Sequence, residues 1–81
     1  MPLVREARLR SEFAYLYPGI QPGIWVPARL LVDREVVRQE RRRRELPAGG
    51  RMRDLNDQHF EFRDVPAAKA SQMPAGEGSD L

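Results

Sequence analysis

Apolar residues near the start of the chain recur at the spacing of an amphipathic helix. Four of them occupy positions i, i+4, i+7 and i+8, namely Leu9, Phe13, Leu16 and Tyr17. On a helix these positions form one stripe, and the proline and glycine at 18 and 19 end the pattern. The spacing predicts a helix over residues 5–17, with Arg8 and Glu12 paired one turn apart.

The next segment, residues 18–27, contains three prolines and two glycines. Its two Pro-Gly pairs predict consecutive turns. A tryptophan in such a segment is either the lid of a small core or an anchor for a partner, because tryptophan is the residue most enriched in interface hot spots. We therefore take the apolar side chains here as candidate partner-binding residues: Tyr17, Ile20, Ile24 and Trp25.

Residues 28–46 allow two interpretations. Pro27 suits the first turn of a helix, Pro47 and the glycines after it end the segment, and Glu40 and Arg44 have helical spacing. However, the apolar residues are scattered around a helical wheel and several are β-branched valines, which favour strands. We predict a helix, with a β-hairpin turning at Asp33–Arg34 as the alternative.

The clearest strand signal lies at residues 57–63, after a predicted loop at 47–56. Phe60 and Phe62 alternate with three polar residues, His59, Glu61 and Arg63. Gly23–Val26 is a suitable partner for this strand in an antiparallel ribbon. The expected fold is therefore a small α+β domain, with one or two short helices, a minimal antiparallel β-ribbon and extended Pro/Gly-rich segments.

The 81 residues predict one small module at 1–65 and a tail at 66–81. The tail has no aromatic and no β-branched residue, so it cannot bury enough surface to offset its ordering entropy. A domain this small has a thin core. We therefore expect a neighbouring protein to hold the ends of the chain in place.

Charge is segregated along the chain although the net charge is only +2. Residues 29–53 carry nine arginines against four acids, a balance of +5, whereas residues 54–65 carry one arginine against four acids, a balance of −3. The run Arg41, Arg42, Arg43 and Arg44 is the strongest feature and a candidate partner-binding site. It suits an acidic protein surface, an anionic lipid headgroup or a phosphate, or it is a solvated helix face balanced by Glu40 and Glu45.

Catalytic chemistry has little support in this sequence. The chain has one histidine and no cysteine, and its serines fall in the predicted helix or the tail. Asp57, His59 and Glu61 would share one face of a strand, but same-face neighbours lie about 7 Å apart, too far to reach one metal ion easily. We expect no enzyme activity, no metal and no cofactor.

These observations favour a non-catalytic accessory subunit that stabilises a large multi-subunit assembly. A membrane-bound photosynthetic or respiratory complex, with the chain at its periphery, fits a basic block within a nearly balanced total charge. The alternatives are a small RNA- or DNA-binding protein, disfavoured by the low net charge, and a free protein-binding regulator. No apolar run, Leu30–Val32 included, approaches the length of a membrane-spanning helix, so we expect no transmembrane segment and no export signal, and hence a cytoplasmic location.

Overall fold

A computed structural model describes residues 2–44 and 54–70 of the chain. Three strands, β1 (Leu3–Leu9), β2 (Val26–Pro27) and β3 (Phe60–Pro66), form an antiparallel sheet in the order β2-β1-β3. Between β2 and β3 lie two helices, α1 (Ala28–Val32) and α2 (Glu35–Arg43). Short 3₁₀ helices at Ser11–Leu16 and Ala67–Lys69 follow β1 and β3.

The register of the sheet gives each of its two faces a distinct composition. Ala7 is paired with Phe62 on one side and with Val26 on the other, so these three residues share one face. Glu6 is paired with Arg63 and with Pro27 on the opposite face. Because side chains alternate along a strand, the face with Ala7 and Phe62 is mainly apolar, with the Arg5–Asp64 pair near its end, and the face with Glu6 and Arg63 is mainly charged.

The core lies against the apolar face. Its largest fully buried apolar side chains are Tyr17, Phe60, Leu9 and Val37. The ring centroids of Tyr17 and Phe60 are 5.0 Å apart in an edge-on contact, which attaches the first 3₁₀ helix to the start of β3. α1 packs against β1 and β2, and α2 packs against α1.

The predicted helix at residues 5–17 is wrong, because the structure has β1 and a 3₁₀ helix there. β1 is the central strand, and its backbone bonds to both neighbours, which outweighs local helix propensity. Because β1 has charged residues on both of its faces, its alternation of apolar and polar residues was not recognisable in the sequence. The predicted Arg8–Glu12 pair is also absent: Arg8 contacts Glu61, and Glu12 contacts Arg10.

The helix predicted over residues 28–46 is correct for the described part of that range, but the structure divides it into two helices. The two helices α1 and α2 meet at Asp33–Arg34, where the hairpin alternative had placed its turn, and Arg34 is extended with ψ 138°. The guanidinium Nη2 of Arg34 donates to the carbonyl of Gly19 at 2.9 Å. Gly19 has φ +95°, a conformation that suits glycine.

The strand predicted at 57–63 is present three residues later, as β3. The proposed ribbon partner is wrong: β3 pairs with β1, and the segment around Val26 pairs with the other side of β1. The sheet therefore has three strands instead of two. The fold class itself, a small α+β domain with antiparallel strands and a few short helices, is confirmed.

Of the predicted tail at 66–81, the structure describes only the first residues. Pro66 ends β3, and the backbone N–H of Ala67 donates to the carbonyl of Pro2 at 3.0 Å, which extends the β1–β3 pairing by one residue pair. Residues 71–81 lie outside the described part of the chain. Within the described residues, every helix is too short or too polar to cross a bilayer.

Candidate functional site: the Trp25 face

The charged side of the sheet forms a surface of paired charges around one aromatic ring. We call it the Trp25 face and define it by Glu6, Arg8, Trp25, Glu61 and Arg63. Cross-strand register places Glu6 opposite Arg63 and Arg8 opposite Glu61. Charges of opposite sign therefore alternate both along each strand and across the pair.

Both cross-strand pairs on this face are ion pairs with short contacts. Arg63 Nε donates to Glu6 Oε1 at 2.8 Å, and Arg8 Nε donates to Glu61 Oε1 at 2.7 Å. They differ in burial, since Glu6 is fully buried whereas Glu61 is exposed. A buried carboxylate depends on its cation far more than an exposed one.

Trp25 lies over these arginines, immediately before β2. Its ring centroid is 4.5 Å from the guanidinium carbon of Arg8 and 4.3 Å from that of Arg63. Both distances are well within the range of cation–π attraction. The indole is partly exposed and fixed in place by two charged side chains, so it is neither a lid on the apolar core nor a loose surface residue.

A groove of about 320 Å³ continues this surface toward the turn at Pro22–Gly23. Arg8 and Glu61 belong both to the Trp25 face and to the groove wall. The wall also includes Arg10 and Glu12, which form an exposed ion pair at 3.1 Å. The groove thus presents both signs of charge in an open depression that suits a protruding peptide or side chain.

Each arginine of the run at 41–44 has an acidic partner within the chain. Arg41 contacts Asp54 at 3.1 Å, Arg42 contacts Glu35 at 2.6 Å, and Arg43 contacts Glu40 at 3.3 Å. Arg44 Nη2 donates to the Asp54 carbonyl at 2.9 Å, and its Nε is 3.9 Å from Glu40, the partner that helical spacing predicts. Arg41 and Arg44 are largely buried, so this part of the run fixes α2 to residue 54. Glu45, the other predicted partner, lies outside the described residues.

A buried hydrogen bond joins the first 3₁₀ helix to the residue before β3. Tyr17 Oη and His59 Nδ1 are 2.8 Å apart, and Phe13 covers the imidazole at 4.4 Å between ring centroids. Burial, with a smaller contribution from Glu40, raises the pKa of Tyr17 to about 12, and burial lowers the pKa of His59. The hydrogen bond joins a protonated hydroxyl and a neutral imidazole inside the packed core, so the pair serves packing.

The four apolar candidates from the sequence are not on one surface. Tyr17 is fully buried and Ile20 is 9% exposed, and both belong to the core, so neither is available to a partner in this fold. Ile24 is 40% exposed and directly precedes the partly exposed Trp25. His59, expected beside Glu61 on the polar face of a strand, is instead buried, because β3 begins one residue later.

Sequence reasoning missed Glu6 and Arg8, the β1 half of the Trp25 face, because it assigned them to a helix. It did place Glu61 and Arg63 on one side of a strand, opposite Phe60 and Phe62. Their alternation with the two phenylalanines was the available signal. Within the described residues, no group of three or more acidic, histidine or cysteine side chains is arranged to hold a metal ion.

No family model matches the chain, and comparison with curated proteins and with solved structures finds no significant match to either. The functional argument therefore depends on the geometry of this molecule.

Proposed function

We propose that this chain is a non-catalytic accessory protein that binds a larger protein through the Trp25 face. The observation that carries the proposal is the partly exposed Trp25 ring, held 4.5 and 4.3 Å from two guanidinium groups. Binding orders a side chain at an entropic cost, and a ring already fixed by its neighbours avoids most of that cost. Tryptophan and arginine, which meet at this site, are both enriched among binding hot spots.

The charge pattern supports a protein partner over a nucleic acid. The Trp25 face pairs Arg8 with Glu61 and Arg63 with Glu6, so it offers a phosphate backbone no net positive field. Each arginine of the run at 41–44, the other candidate for phosphate, already contacts an acid within the chain. A protein surface with its own mixture of charged groups fits this alternation better.

A non-catalytic role is supported by the placement of the acid–base groups in the described residues. Tyr17 and His59 form the one hydrogen-bonded tyrosine–histidine pair there, and both are buried in packing contacts. The groove beside Trp25 is open and lined by side chains already engaged in ion pairs. The class of assembly favoured by the sequence, a membrane-bound energy-transducing complex, stays a prediction.

The chain offers a direct test because Trp25 is its only tryptophan. The untagged protein is used to isolate its partner, and the partner is then titrated against the purified chain while Trp25 fluorescence is recorded. We expect the emission to shift on binding, and Trp25→Ala to weaken association about 30-fold or more, the effect of losing a hot-spot residue.

Tyr15→Ala is the matched control, since Tyr15 is also aromatic and is 77% exposed, but lies on the first 3₁₀ helix. It should leave affinity unchanged. Thermal melting checks that both variants remain folded. A folded Trp25→Ala protein with unchanged affinity would refute the proposed site, and strong, salt-sensitive binding to RNA or DNA would favour the nucleic-acid alternative.

A further inference from the structure

Among the strands in the described part of the chain, β3 lies at the edge of the sheet. It pairs with β1 along all seven residues, and within the described part of the chain no strand lies against its other side. No described backbone group outside β1 bonds to residues 61–66. An edge of this length is a template for another strand unless something covers or blocks it.

The hydrogen-bond pattern shows which residues of β3 face outward. Arg10 N–H donates to the carbonyl of His59, and Ala67 N–H donates to the carbonyl of Pro2. In an antiparallel pair, hydrogen-bonded positions alternate, so residues 59, 61, 63, 65 and 67 direct their backbone groups toward β1. The N–H and carbonyl groups of Phe62 and Asp64 therefore point to the free edge.

We propose that β3 is the contact of a symmetric homodimer, in which two copies pair antiparallel about Phe62. The two three-stranded sheets then become one continuous sheet. A twofold axis at Phe62 pairs the outward backbone groups of Phe62 with those of Phe62 in the second copy. It also pairs the outward groups of Asp64 with those of Phe60 across the axis.

The charged side chains favour this register over registers whose axis is moved by one residue. Side chains come closest at the positions that do not exchange hydrogen bonds, which here are 61 and 63. Pairing about Phe62 places Glu61 opposite Arg63 of the second copy, on both sides of the axis. Moving the axis by one residue places Arg63 opposite Arg63, or Glu61 opposite Glu61, and both are repulsive.

The same register continues the pattern already present within one copy. The row Glu6–Arg63 would be followed across the axis by Glu61 and Arg8 of the second copy, so the sign changes at every step. On the other side of the sheet the two Phe62 rings meet, and Phe62 is only partly buried in one copy. A second copy is thus complementary in both charge and apolar surface.

Sedimentation equilibrium of the full chain over a range of concentrations tests the proposal. We expect a reversible dimer for the wild type. Glu61→Lys places like charges opposite each other and should weaken the dimer about tenfold or more, the summed effect of two symmetric cross-strand pairs. A folded wild-type chain that stays monomeric throughout, including one that instead binds an added β-strand peptide, overturns the proposal.

A charge exchange separates the interface from a folding defect. Arg63→Glu alone should also weaken the dimer, because it faces Glu61 across the axis. Mixing the Glu61→Lys chain with the Arg63→Glu chain makes both cross-axis pairs attractive and should restore a mixed dimer. Mixed dimers no tighter than either variant alone would contradict the register.

Cysteine crosslinking keeps the test decisive if Arg63→Glu fails to fold, and the natural chain has no cysteine to interfere. Phe62→Cys lies on the axis and should form an intermolecular disulfide under mild oxidation. Asp64→Cys is the matched control, on the same strand and face, but its two copies would be about 13 Å apart, too far for a disulfide. Efficient crosslinking at 64 and not at 62 would refute pairing about Phe62.

Discussion

The two faces of the β1–β3 pair share the same backbone and hydrogen bonds, yet they are stabilised in opposite ways. On one face, Leu9 and Phe60 are removed from water and packed against the aromatic ring of Tyr17. On the other, Glu6 is equally buried, but it is held by an ion pair with Arg63, whose guanidinium lies over the indole ring of Trp25. Buried side chains in this small domain are therefore stabilised in two ways, by apolar packing on one face and by ion pairing on the other.

The two sources have different consequences. Apolar packing depends on volume and tolerates little change in size. The Trp25 face depends on keeping charges matched, and part of it stays exposed and able to contact another molecule. One face therefore stabilises the fold, and the other combines stability with the proposed recognition role.

The largest expected effect comes from the apolar face. Phe60→Ala removes a ring that is 2% exposed and leaves a cavity between β3 and Tyr17. We expect a loss of about 3–5 kcal/mol, enough to unfold most of a domain this small. Urea unfolding followed by circular dichroism measures it. Tyr15→Ala, at an exposed aromatic residue, should be nearly neutral, and equal losses in both variants would contradict the assignment of the core.

The next effect tests the charged face. Arg63→Gln leaves the fully buried Glu6 without its strongest described cation, and because Arg63 itself is partly exposed we expect a loss of about 1–2 kcal/mol. Arg5→Gln is the control. Both side chains of the Arg5–Asp64 ion pair are exposed, so breaking it should not change the free energy of unfolding measurably. Losses of the same size in the two variants would show that burial of Glu6 is unimportant.

A smaller effect is expected at the ion pair between α2 and Asp54, whose two side chains are largely but not fully buried. Arg41→Gln breaks the contact with Asp54, in which both side chains are less than a fifth exposed, and should cost about 1 kcal/mol. Arg42→Gln breaks an exposed contact with Glu35 and should cost less than half as much. Thermal denaturation of both variants compares them. If Arg42→Gln were the more destabilising variant, Arg42 and not Arg41 would be the arginine of the run that stabilises the fold.

The smallest expected effect is a pH dependence of the free energy of unfolding, caused by the buried His59. Because burial lowers the pKa of His59, the unfolded chain takes up this proton first as the pH falls. Stability should therefore be complete at pH 7.5 and should decline as the pH drops through 6.5 toward the folded-state pKa. His59→Gln should flatten the profile between pH 7.5 and 5.5, and an unchanged slope would exclude His59 as its source.

Sequence reasoning identified the elements that local pattern determines. Phe60 and Phe62 alternate with charged residues, and this alternation revealed β3. The helix predicted over residues 28–46 had no break at Asp33–Arg34, and only the hairpin alternative placed a turn there. At the break Arg34 contacts the Gly19 carbonyl, and this contact joins residues far apart in sequence.

The central strand and the candidate site were harder to predict. β1 combines Leu9 and Ala7 with Arg5 on the same face, so its alternation of apolar and polar residues is weak. Its strand conformation depends on partners at Val26 and Phe60, which only the fold brings together. Trp25 was identified as important from its Pro/Gly context. Its position over two arginines follows from pairing across the sheet, which local spacing does not reveal.

The long interval between β1 and β3 bears on synthesis of the protein. The strand at the N-terminal end forms most of its ladder with Phe60–Pro66, so the ladder can close only after the ribosome has released that distant segment. Contacts of such large sequence separation form slowly. The nascent chain therefore carries β1 without its β3 partner until residues 60–66 have emerged, and a chaperone that shields this strand would raise the yield of folded protein.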